Sequence, residues 1–205
     1  TQRENALCPN CLALERHRLL WLWLVRQSDI GRGAMALPRL LHIAPEVALM
    51  RKFRKMYAGS AERYVTADLE SPLADIRFDV QNIPLEDESF DARICNHIME
   101  HVEDDGKALR ELHRIMKPNG WGVILSPVDY SREQTFEDDT ITDAKERTRL
   151  FGQYDHRRVH GRDYDLRLAE AGFVVERIAV SDLLSPEERR RHAVGNDDLV
   201  VVHKL

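Results

Sequence analysis

A chain of 205 residues, 43% apolar and 32% charged, has the length and composition of one soluble α/β domain with a substantial core. The net charge of −5 argues against nucleic acid as a partner, because phosphate binding needs a basic face. The basic runs at 51–55 and 189–191 read as solvated helix faces. Three cysteines leave no disulfide framework, and the apolar run 19–25 is too short to span a membrane, so a cytoplasmic protein without membrane contact is expected.

Residues 1–38 read as an N-terminal cap segment. It opens on Cys8-Pro9-Asn10-Cys11 and continues as a helix through Trp21 and Trp23, packed over the sheet edge or the mouth of a ligand site. Cys-x-x-Cys is half of a zinc site, which takes four ligands. No second pair is present, so no complete metal site is expected from these residues, and His17 is at most an irregularly spaced third ligand.

Residues 39–205 read as the main domain. Residues 39–44 form a first strand, followed by Pro45 and Glu46 at the start of a helix whose inward face is Val47, Met50, Phe53 and Met56. A second strand, 63–67, ends on Asp68. Strand, turn, helix, strand and an acid about twenty residues beyond the turn is the layout of a nucleoside-binding unit, with the acid on the ribose. Residues 76–80 suggest a short third strand. Residues 90–95 form a fourth strand that ends in the polar corner Asn96-His97-Ile98-Met99-Glu100-His101. Ala108, Leu109, Leu112, Ile115 and Met116 then mark a helix, residues 117–120 stop it, and residues 121–125 are a fifth strand. The corner lies at the carboxyl end of its strand, where open α/β sheets bind ligands.

The stretch FDARICNHIMEHVEDDGKALRELHRIMKPNGWGVILSPV resembles the fourth and fifth strand region of class I S-adenosylmethionine-dependent methyltransferases, in its E-H corner and K-P-x-G turn. More weakly, the resemblance runs from about residue 40 to the C-terminus. It implies a Rossmann-like α/β fold: a mostly parallel seven-stranded sheet with an antiparallel last strand, flanked by helices. It also implies S-adenosylmethionine as cofactor, with S-adenosylhomocysteine as product. His42, Ala44, Pro45 and Glu46 would form the first binding turn, Asp68 and Leu69 the ribose side, Asp79 and Val80 the adenine side, and Asn96 and His97 the methionine side. The chain departs from the family at this turn, which usually carries three glycines for close backbone approach; here Glu46 stands at the second.

Residues 129–161 read as a substrate-facing insertion, too long and polar for a plain connector. Its end, 151–161, concentrates Tyr154, Asp155, His156, Arg157, Arg158 and His160. His156 is the first choice for a general base, ahead of His160, with Asp155 or Tyr154 as orienter, and Arg157 and Arg158 would pair with an acidic acceptor. A helix with Tyr164, Leu168 and Ala171 stops at Gly172, and strands at 173–178 and 198–202 flank a capped helix at 185–191. The expected function is methyl transfer to an oxygen or nitrogen of a small-molecule acceptor, with homodimerisation left open. The alternatives are a non-catalytic methyltransferase-like scaffold subunit and a protein or RNA methyltransferase.

Overall fold

The computed structural model describes residues 6–31 and 37–205. Most of the connection expected before the first strand therefore lies outside the described residues. The elements in order are α1 (Glu15–Arg26), β1 (Leu40–Ile43), α2 (Val47–Met56), β2 (Tyr64–Asp68), β3 (Ile76–Arg77), β4 (Phe90–Asn96), α3 (Asp105–Arg114) and β5 (Met116–Leu125). Then come β6 (Phe136–Glu137), α4 (Ala144–Phe151), β7 (Arg158–Val159), α5 (Tyr164–Glu170), β8 (Val174–Ile178), α6 (Val180–Leu183), α7 (Pro186–His192) and β9 (Leu199–His203).

The strands form a seven-stranded sheet in the order β3-β2-β1-β4-β5-β9-β8, while β6 and β7 pair separately. β1 to β5 run parallel, and β9 is antiparallel to both of its neighbours, as the resemblance implied. The order reverses between β1 and β4, so their carboxyl ends open the crevice in which such sheets bind ligands.

Period-two alternation sends side chains to both faces of this sheet, and a hydrophobic core covers each. On one face Leu40, Ala92, Ile94 and Val123 pack under α1, α2 and α6. On the other, Leu41, Cys95, Ile124 and Val202 pack under α3 and α5. Helix α1 is fastened by aromatic contacts: Trp23 meets Trp121 edge-on at 5.2 Å, and Trp21 meets Phe53 at 5.6 Å. Opposite Arg93, which is fully buried in β4, the sheet carries Gly122, because a Cβ there would stand 2.8 Å from Arg93 Cγ. Gly172 takes φ 103 just past α5, the left-handed stop its position predicts.

Some expectations change. Val47 is exposed, and the inward face of α2 is Ala48, Leu49, Met50 and Phe53, because the helix begins only after Glu46. The third strand keeps only Ile76 and Arg77. Met116 already pairs with Phe90, so residues 117–120 form an irregularity within β5 rather than a gap before it. The short helix α6 was not foreseen.

Because α1 shares its core with the sheet, Leu24→Ala, at a fully buried site, is expected to cost about 2–5 kcal/mol in urea unfolding. Tryptophan fluorescence and far-UV circular dichroism should follow one transition. An earlier fluorescence transition would mean that α1 unfolds independently.

Candidate active site

The turn after β1 is built without glycine, yet it keeps a glycine-like backbone. Ala44 takes φ 46, and its amide donates to the Ala67 carbonyl at 2.8 Å. Glu46 points into the crevice. Its Oε2 accepts from His42 Nε2 at 2.8 Å, and its Oε1 accepts from Asn96 Nδ2 at 3.1 Å, with His17 Nε2 3.4 Å away. His42 is fully buried, and its Nδ1 meets the Tyr64 hydroxyl at 2.9 Å. Burial would raise the Glu46 pKa, but the hydrogen bond from His42, the charges of His42 and His17 and the Asn96 amide bring it down to about 2. The crevice therefore holds a carboxylate at neutral pH. The Leu14 amide donates to His17 Nδ1, so His17 serves this carboxylate and not the cysteines, contrary to its tentative place as a zinc ligand.

At the end of β2, Asp68 Oδ1 accepts the amides of Glu70 and Ser71, which fixes the turn, and Leu69 beside it is 63% exposed. Asp79 is exposed and is held by the amide and side chain of Gln81, while Val80 is buried. At the corner after β4, His97 takes φ 55. Its Nδ1 lies 3.2 Å from Glu100 Oε1, and Glu100 Oε2 accepts from the Ser126 hydroxyl at 3.0 Å. A cleft of about 400 Å³ opens here, lined by His97, by Leu14 and Leu19 of the N-terminal segment, by Ser126 and Tyr130 after β5, and by Leu199 of β9.

Behind the cleft, Ser126 Oγ meets His160 Nδ1 at 2.8 Å, and His160 Nε2 meets Asp105 Oδ2 at 3.1 Å. Arg167 Nη1 donates to both Asp105 oxygens. Burial would raise the Asp105 pKa, but the His160 hydrogen bond and the charges of Arg158 and Arg167 bring it to about 2. His160 is fully buried with both ring nitrogens engaged, so its expected place as reserve base gives way to a positioning role. Arg158 is also not free to pair with an acceptor. It is buried and donates to the carbonyls of Met99, Val102 and Glu103 and to Glu137. Asp155 stands beside His101 at 3.3 Å rather than orienting His156, Tyr154 is 64% exposed, and Arg157 turns to Asp139. Cys8 and Cys11 close a tight turn in which the amides of Cys11 and Asn10 donate to Cys8 and lower its thiol pKa. Among the described residues they join no group of three metal-ligating side chains.

Glu100, Ser126, Asp105 and Arg167 were not read from the sequence as partners. Only the three-residue spacing of His97 and Glu100 hinted at their pairing; the rest meet through the fold.

Residues 29–124 match the family model of a methyltransferase domain. By this match residues 29–124 carry a methyltransferase domain, and the chain has the fold of S-adenosylmethionine-dependent methyltransferases. It is 33% identical to demethylmenaquinone methyltransferase of Chlamydia caviae over 104 residues, 48% of this chain and 43% of that protein. The chain matches less than half the length of such curated relatives. An S-adenosylmethionine-dependent methyltransferase from Mesorhizobium loti shares the fold, with a TM-score of 0.53 at 15% identity over 88% of this chain and 100% of that one. So does the cyclase SpnF, with a TM-score of 0.60 at 15% identity over 97% of this chain and 86% of that one.

The crevice of this methyltransferase domain fits the cofactor its family implies. Asn96 Oδ1 is buried and takes no hydrogen bond from the described residues, and it sits beside the ionised Glu46. A buried acceptor without a donor, next to a carboxylate, suits the cationic methionine end of S-adenosylmethionine.

The depressed pKa of Asp105 has a sign. Its contribution is present above the unfolded value of 3.8 and is lost as the pH falls through about 2. Asp105→Asn should remove on the order of 2 kcal/mol at neutral pH and flatten the loss in acid, as read by urea unfolding across pH. Equal acid sensitivity in variant and parent would relieve Asp105 of this role.

Proposed function

We propose that this domain transfers the methyl group of S-adenosylmethionine to an oxygen or nitrogen of a small-molecule acceptor held in the cleft between α1 and the ends of β4, β5 and β9. One observation carries the reading: the corner 96–97 belongs to both sites. Asn96 is bonded to Glu46 in the turn after β1, and His97 lines the cleft. The cleft volume of about 400 Å³ falls in the usual range for small ligands. One relative is named for a quinone, demethylmenaquinone, which also supports a small acceptor.

When bound, the cofactor supplies a sulfonium methyl group that needs alignment more than activation. On its side of the corner, Glu46 and Asn96 would hold the cationic methionine portion, with His42, Ala44 and Pro45 shaping the turn. Asp68 would take the ribose hydroxyls with Leu69 beside it, while Asp79 and Val80 would face the adenine. On the acceptor side the base is His97 rather than His156, which is not among the cleft-lining residues. With Nδ1 turned to Glu100, His97 keeps Nε2 to accept a proton, and the Glu100 carboxylate stabilises the imidazolium that results. Glu100 is itself 2% exposed; burial would raise its pKa, but the hydrogen bond to His97 brings it below the ordinary value, so it carries charge when needed.

Calorimetric titration with S-adenosylhomocysteine should show one site, and Asp68→Ala should weaken it by about tenfold or more. With an acceptor found by screening, His97→Asn is expected to lower kcat by about 100-fold or more. A folded sample that binds no S-adenosylhomocysteine would overturn the reading in favour of a scaffold domain. Unchanged kcat in His97→Asn would remove the base.

A further inference from the structure

We infer that Glu100, His101 and His156 form a binding site for one divalent transition-metal ion of the zinc type. The site goes beyond the methyl-transfer reading and does not depend on it. One potential ligand atom from each residue lies within 4.8 Å of the others, and no other such group occurs among the described residues. Two imidazoles and one carboxylate form a donor set that zinc and its neighbours accept, with coordination positions left for water or another ligand.

The surroundings orient both rings for a metal. His156 Nδ1 lies 3.0 Å from the Phe151 carbonyl. A carbonyl only accepts, so that nitrogen carries the proton and Nε2 keeps its lone pair. His101 Nδ1 lies 3.3 Å from Asp155 Oδ2, a carboxylate behind an imidazole that favours the same tautomer. Histidine ligands to metals are held in this way. The rings stand edge to face at 4.7 Å and 86°, and both residues are half-buried, so water and an ion can reach them. Glu100 spends one bond on each oxygen, to His97 and to Ser126, and a carboxylate offers about four lone-pair sites in all. The Arg157 amide donates to the Glu100 carbonyl at 2.8 Å, which ties the loop carrying His156 to the corner carrying the other two ligands. Ligand atoms around one zinc stand about 3.3 Å apart, so binding draws the three side chains slightly together.

The test uses the full chain as a Cys8→Ser/Cys11→Ser variant, so that the N-terminal thiols bind no metal. Zn2+ is titrated in competition with a chromophoric chelator, and Co2+ absorption is recorded in parallel. One Zn2+ per chain is expected. His101→Ala and His156→Ala should each weaken it about 100-fold or more and abolish the Co2+ bands, and Asp155→Asn should weaken it about 10- to 100-fold. His203→Ala, on the surface of β9, should change nothing. Folding of each variant is checked by circular dichroism. No stoichiometric Zn2+ in the folded cysteine-free protein, or equal affinity in His101→Ala and His156→Ala, would overturn the proposal. S-adenosylhomocysteine affinity, measured separately, reports on the donor site whatever the metal result.

Discussion

The Glu46 carboxylate is the contact on which the crevice depends. It takes hydrogen bonds from His42 in β1 and Asn96 at the end of β4, and it faces His17 in α1. One side chain thus joins the first strand, the polar corner and the cap helix. A carboxylate buried without partners would protonate or force the site open. Here the surrounding N–H groups keep it charged, so a glutamate can occupy a place where its family usually has glycine. Ala44 supplies the rest of the exchange: it accepts the left-handed backbone, at a modest strain cost, and the turn keeps its course.

A second polar chain holds the other wall. From His97 it passes through Glu100, Ser126, His160 and Asp105 to Arg167, each link a hydrogen bond. Arg158 adds the carbonyls that end the corner. Residues 129–161 are therefore fastened to the sheet through the buried charged and polar groups of Arg158 and His160. Such networks tolerate little loss, because removing one member leaves another buried charge unpaired. This gives a physical reason for so polar a segment to have a defined geometry.

The sheet was legible because its signals are local. Apolar runs, Pro118, Gly120 and Gly172 mark strands and stops within a few residues, and the antiparallel last strand followed from the resemblance. The corner 96–101 was legible as a candidate site because it ends a buried strand. The side-chain roles were less so. The residues at 151–161 look like one reactive cluster in sequence, but the fold divides them: His160 and Arg158 go inward, His156 turns to His101, and Tyr154 stays in solvent. A loop has no period that tells inside from outside, so hydrogen bonds over 34 to 59 residues turned His160 and Arg158 inward.

Glu100 is the residue at which the two proposals meet. One oxygen faces His97 on the cleft and the other faces Ser126, while ligand atoms of His101 and His156 stand within 4.8 Å of the carboxylate. Each oxygen keeps a lone pair beyond these two bonds, so one buried carboxylate can orient His97 toward the acceptor and still serve a metal held by His101 and His156.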